Sequence, residues 1–170
     1  MYEKSITLLQ KAVADELSAV HQYMYFHFHC DDQGLGLLAT LFQRVAIQEM
    51  LHIERIAERI LFLGGDVEMQ PSLPVEKTQD VKEMLVKAQS MEEGSIHDYN
   101  QFAVDVGPDS ASRNLFESLV ADEEKHFEQF NTESDNVNRF GDSYLAQQAM
   151  EKSRRVGVPT EAGISMSAAG

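Results

Sequence analysis

Two copies of one short phrase, Glu-x-x-His, run from Glu49 to His52 and from Glu123 to His126. Residues three apart in a helix leave the same face, so each phrase aims one carboxylate and one imidazole at a common point. Such pairs are metal ligands, and a set of carboxylates and imidazoles without thiolates suits iron. One copy carries little weight, because helices are rich in Glu. The repetition is what needs a cause.

The recurrence extends beyond these phrases. Glu16-Leu-Ser-Ala-Val-His21-Gln-Tyr23-Met-Tyr-Phe26 matches Glu92-Glu-Gly-Ser-Ile-His97-Asp-Tyr99-Asn-Gln-Phe102, with Glu, His, Tyr and Phe at identical spacing and an offset of 76 residues. Between the two Glu-x-x-His phrases the offset is 74 residues, and the shared pattern continues to Glu54 and Glu128. The chain therefore consists of two related halves, each holding one Glu stretch and one Glu-x-x-His stretch.

Long helices must position these residues. From Glu3 to Asp31 apolar residues fall at helical spacing (Ile6, Leu9, Val13, Leu17, Val20, Met24) with no Gly or Pro to interrupt them. Asp31-Asp32-Gln33-Gly34-Leu35-Gly36 ends this first helix and leaves only a short link to an antiparallel neighbour, expected over Leu35 to Leu63. Gly64-Gly65 stops the second helix, and Asp66 to Thr78, which contains Pro71 and Pro74, reads as a loop. At about 3.3 Å per residue this loop reaches roughly 43 Å, enough to cross a whole bundle. A third helix is expected from Gln79 to Val106 and a fourth from Ser110 to Asn138, separated by the stop and cap Gly107-Pro108-Asp109-Ser110. After Gly141-Asp142-Ser143 a short fifth helix is expected over Tyr144 to Lys152, which closes a domain of residues 1–152; residues 153–170, rich in Gly, Ser and Ala, read as a flexible tail. The fold class is all-α, a four-helix bundle of two antiparallel pairs joined by a long crossover.

Glu16, Glu49, Glu92 and Glu123 each lie near the middle of a helix, so side by side they share one level. The inward faces there are otherwise apolar, and four desolvated carboxylates repel one another unless neutralised. Two divalent cations bring the sum to zero. Spacing alone thus nominates six ligands: Glu16, Glu49, His52, Glu92, Glu123 and His126. Tyr23 and Tyr99, seven residues after Glu16 and Glu92, return to the same helix face within about 20° and read as core aromatics that hydrogen-bond a buried carboxylate.

With 14 Lys and Arg against 28 Asp and Glu, the net charge of −14 repels phosphate backbones and anionic membrane surfaces and favours cationic partners. Neither nucleic acid nor a membrane is an expected partner, and no apolar run reaches the length of a bilayer span. A single cysteine, Cys30, excludes an intramolecular disulfide and any CxxC metal knuckle, and reads as packing filler. With no basic-then-apolar signal segment at the N-terminus, a reducing cytoplasm is the expected compartment. His21, His27 and His29 read as structural or surface residues; His27 shares the face of Glu16 but sits about 16 Å along the axis.

One Glu from each of two helices plus Glu-x-x-His from each of the other two is the di-iron carboxylate pattern of ferritin-like bundles. The chain resembles the bacterioferritins over nearly its whole length, through Glu16 with Gln22-Tyr23, Glu49-Met50-Leu51-His52, Glu58-Arg59-Ile60-Leu61-Phe62-Leu63, His97-Asp98-Tyr99, Asp122-Glu123-Glu124-Lys125-His126 and Tyr144-Leu145-Ala146. That resemblance implies a non-haem di-iron cofactor, with one iron on Glu16 and His52, the other on Glu92 and His126, and Glu49 and Glu123 bridging both. It implies a ferroxidase that oxidises Fe(II) with O2 or H2O2 and mineralises Fe(III) inside a homo-oligomeric shell, a 24-mer. Met50 is turned about 100° from Glu49 around the helix and cannot join the iron site; in the resembled family a Met at this motif position is the axial ligand of haem b between two subunits. Arg44 and Gln48 stand where some members place further iron ligands. The competing readings are a Dps-type mini-ferritin in a 12-mer shell, a rubrerythrin-like peroxidase, disfavoured by the lack of CxxC pairs, and a helical bundle without metal.

Overall fold

A computed structural model describes residues 2–156 and consists there of five helices: α1 (Glu3–Asp32), α2 (Gly36–Phe62), α3 (Val81–Asp105), α4 (Ser110–Phe140) and α5 (Asp142–Val156). α1 pairs with α2, and α3 with α4, as two antiparallel hairpins. α1 and α3 run in opposite directions, and Lys4 at the start of one meets Asp105 at the end of the other at 3.2 Å.

Local chemistry sets the helix ends. Gly34 takes φ 79°, which lets the chain reverse so that Leu35 N donates to Cys30 O at 2.8 Å. Asp80 caps α3 by accepting from Glu83 N at 3.0 Å, and Asp109 caps α4 by accepting from Ser112 N at 3.2 Å. Asp109 also accepts from Arg59 Nη2 at 2.6 Å, which ties the end of α2 to the start of α4.

The crossover between α2 and α3 lies along α1 and gives its backbone partners on that helix, because peptide groups held against a protein face need them. Gln10 Nε2 donates to Asp66 O, Ser72 N donates to Ala14 O at 3.0 Å, and Leu73 N donates to Ser18 Oγ at 3.0 Å. Gln22 and Glu76 exchange two bonds of 2.8 and 2.9 Å, and Gln33 Nε2 donates to Gln79 O at 3.0 Å. The polar residues Ser18 and Gln22, buried on an otherwise apolar face of α1, are explained by this strap.

α5 differs from its expected span. It begins at Asp142 and continues to Val156, so residues 153–156, assigned to the tail by composition, are helical. Ser153 Oγ bonds back to Ala149 O at 3.1 Å, and upstream Lys152 Nζ reaches Asp31 Oδ1 at 2.6 Å across the α1–α2 turn, contacts that support the end of this helix. The remainder of the expected tail, from residue 157, lies outside the described residues. Among the described residues no helix is long and apolar enough to cross a membrane.

Two apolar clusters fill the bundle. Tyr23, Phe26, Phe42, Met84, Leu85 and Phe130 belong to one; Leu9, Val13, Ile56, Tyr99, Phe102 and Phe116 belong to the other. Glu16, Glu49, Glu92 and Glu123 lie between them.

Candidate metal centre

Each of the four long helices contributes side chains to one layer. Glu16 comes from α1, Glu49 and His52 from α2, Glu92 from α3, Glu123 and His126 from α4, and all six are buried. Their ligand atoms form two overlapping sets, Glu16–Glu49–His52–Glu123 and Glu49–Glu92–Glu123–His126, with the atoms of each set within 4.8 Å of one another. Glu49 and Glu123 belong to both. His52 Nδ1 lies 2.9 Å from Glu49 Oε2, 3.1 Å from Glu123 Oε1 and 3.3 Å from Glu16 Oε1. His126 Nδ1 lies 3.0 Å from Glu49 Oε1, 3.1 Å from Glu123 Oε2 and 3.7 Å from Glu92 Oε2. The two rings stack at 5.7 Å, related by the pseudo-twofold of the internal repeat.

The tyrosines serve the carboxylates across the bundle. Tyr99 on α3 donates to Glu16 Oε1 at 2.6 Å, and Tyr23 on α1 donates to Glu92 Oε1. Burial, reinforced by the facing carboxylates, pushes both phenols well above their ordinary 10, so they remain proton donors.

Apolar layers on both sides leave the carboxylates little water. Burial first, then the neighbouring Glu123 and Glu49 charges, raises Glu16 well above its ordinary 4.5; burial and Glu49 do the same to Glu92. Burial opposes ionisation of Glu123 as well, but the two imidazoles beside it hold it below the ordinary carboxylate range. Burial disfavours the imidazoliums, yet contacts with Glu123, Glu49 and Glu92 overcome this and push His126 up to about 12; Glu123, Glu16 and Glu49 likewise raise His52. Two divalent cations on four carboxylates and two neutral imidazoles would bring the charge of the layer to zero.

The ferritin-like domain family matches residues 6–140. Bacterioferritin of Desulfovibrio desulfuricans is 36% identical over 146 residues, 85% of this chain and 82% of that protein. Bacterioferritin of Rhodobacter capsulatus is 34% identical over 142 residues, 81% of this chain and 87% of the relative. The chain belongs to the bacterioferritin family. Within that family a solved X-ray structure, the Desulfovibrio desulfuricans bacterioferritin with its diiron site in a reduced-and-reoxidised state, superposes with a TM-score of 0.82 at 33% identity, covering 98% of this chain and 95% of the other.

The donor set of this bacterioferritin-family chain fits a metal pair. Glu49 Oε1 and Oε2, Glu123 Oε1 and His52 Nδ1 are buried without a hydrogen-bond partner, because their close approaches are out of line for hydrogen bonding. Buried polar atoms almost always find partners; four without one at a single spot fit a set of lone pairs that a cation would satisfy.

All six residues nominated by spacing thus meet in one place, with Tyr23 and Tyr99 behind them. Met50 lies outside the layer, 52% exposed on the outer face of α2 near the half-exposed Ile47 and Leu51. His21 and His97, which recur in the internal repeat, face solvent, and His27 bonds Ala39 O at 2.8 Å. Cys30 is buried, which raises its thiol to about 12. Sequence reasoning missed Asp122, whose Oδ2 lies 3.6 Å from His52 Nε2 while Lys125 Nζ and Arg55 Nη1 approach the carboxylate at 2.9 and 3.4 Å. Only its place beside Glu123 hinted at it.

Proposed function

We propose that this chain is a ferroxidase subunit of an iron-storing shell, with Glu16, Glu49, His52, Glu92, Glu123 and His126 holding a pair of irons. The observation that carries the reading is the sharing of Glu49 and Glu123 between two buried ligand sets, together with the unpartnered atoms at their centre. Names of the relatives and the diiron site of the solved neighbour support it.

Fe(II) is the substrate. Two Fe(II) side by side supply one electron each, the number needed to reduce dioxygen to peroxide or peroxide to water. The chain's own residues supply the rest. Glu49 and Glu123, common to both sets, would hold both irons, Glu16 with His52 and Glu92 with His126 would each hold one, and Tyr99 and Tyr23 hold Glu16 and Glu92 in orientation. The aromatic layers exclude water, so the ligand charges act in a weakly screened setting.

The shell we propose is a 24-mer rather than a 12-mer; α5, docked through Gln148 on Leu38 N at 3.4 Å and Tyr144 on Glu133, supports the larger assembly. The net charge of −14 on each chain would draw Fe(II) in and nucleate the oxide. Met50, exposed among apolar neighbours, is the proposed axial ligand of a haem b shared with a second subunit. The proposed compartment is the cytoplasm.

Stopped-flow oxidation of Fe(II) tests the site. The Glu49→Ala/Glu123→Ala variant is expected to keep its helical circular dichroism and lose the rapid phase; wild-type rates in that variant would overturn the assignment. Iron per chain after loading is expected to start from two tightly held ions, and light scattering gives the size of the shell.

A further inference from the structure

The two halves of the centre share a scaffold but not a surrounding. Helices α2 and α4 correspond through the offset of 74 residues, and their contacts obey it: the bond from Arg44 Nη2 to Gln129 Oε1, 2.6 Å, has its image in the bond from Arg55 Nη2 to Ser118 Oγ. Residue types differ at many corresponding positions, and one difference falls directly behind a histidine. Asp122 maps onto Gln48, so a carboxylate on one side is an exposed amide on the other.

We propose that Asp122 makes the two metal positions unequal, strengthening His52 so that the half built on Glu16 and His52 takes the first divalent cation. The inference rests on the reading of the six buried residues as a two-metal site. Both histidines turn Nδ1 toward the carboxylates, which leaves Nε2–H as the rear of each ring. Behind His52 stands Asp122 at 3.6 Å, an ion-pair distance that a small side-chain rotation or one bridging water converts to hydrogen bonding. Behind His126, among the described residues, no carboxylate comes within ion-pair distance of Nε2.

A carboxylate behind a ligating imidazole holds the ring in place and raises its basicity, and losing it costs 10–100-fold in metal affinity. Asp122 is itself held, by Lys125 Nζ at 2.9 Å and by Arg55 Nη1 at 3.4 Å. Arg55 is steadied in turn by Ser118. Asp122 is therefore a positioning residue that acts through His52.

Titration of the metal-free assembled protein with Co(II), followed by visible absorption and calorimetry, tests the proposal. The wild type is expected to bind in two resolved steps. Asp122→Asn is expected to weaken the first step about 10–100-fold with little change in the second, so that the steps merge. Gln48→Asp supplies the missing group behind His126 and is expected to tighten the second step. Crystals prepared with one Co(II) per chain are expected to show anomalous density beside Glu16 and His52. Unchanged stepwise constants in Asp122→Asn, or first density beside Glu92 and His126, would overturn the inference while leaving the two-metal reading intact. A wild type that binds no Co(II) would overturn both.

Discussion

The hydroxyl of Tyr99 on α3 lies 2.6 Å from Glu16 Oε1 on α1, and Tyr23 on α1 makes the reciprocal bond to Glu92 on α3. Each tyrosine stands seven residues, about two turns, beyond the glutamate of its own helix and on nearly the same face. Its hydroxyl nevertheless crosses the bundle to the glutamate of the other helix. Tyr99→Phe is expected to leave a buried oxygen of Glu16 unpaired, at a cost of about 1–3 kcal/mol. Thermal unfolding of the metal-free protein should show this loss, and a weaker Co(II) complex should accompany it. An unchanged melting point with unchanged Co(II) affinity would remove the tyrosine from the site.

The raised histidines and glutamates of the layer fix the sign of a pH effect for the metal-free protein. His126, at about 12 against an ordinary 6.5, binds its proton more tightly folded than unfolded, and His52 is raised too. Glu16 and Glu92 are raised from 4.5 in the same sense. A raised folded pKa contributes stability that is full below the unfolded value and is lost as pH rises toward the folded one. From the histidines, metal-free stability is therefore expected to fall as pH rises above 6.5, by about 1.4 kcal/mol per pH unit for each extra proton held. The lowered Glu123 acts oppositely, but only below about pH 4.5. Urea titrations at several pH values check the slope, and saturation with Zn(II), which displaces the protons, should flatten it.

Met50 separates the haem proposal from the iron site. Met50→Leu keeps an apolar side chain but removes the thioether, so haem content and the absorption bands of a Met-ligated haem are expected to vanish while rapid Fe(II) oxidation persists. A Met50→Leu protein that retains wild-type haem would place the ligand elsewhere.

Asp109 combines two roles that substitution can divide. It caps α4 and accepts from the mostly buried Arg59. Asp109→Asn keeps a capping oxygen and loses the charge, whereas Asp109→Ala loses both. The alanine variant is expected to be the less stable by about 1 kcal/mol, the usual worth of such a cap. Equal melting points for the two variants would show that the cap contributes nothing.

The sequence by itself determined the helices, the two halves and the six residues that meet in one buried layer, because a period of 3.6 residues fixes which side chains share a face and the repeat shows which faces share a level. Its reading of α5 stopped at Lys152, since composition turns toward Ser and Gly there while the helix continues to Val156. Tertiary structure alone decided which tyrosine serves which glutamate, why Ser18 and Gln22 are buried under the crossover, and that Asp122 stands behind one histidine only. The physical reason is common to all three. Periodicity places a side chain on its own helix, but its partner is set by the direction and register of the neighbouring helix, and those come from packing two hairpins through a loop whose length permits the crossing without specifying its path.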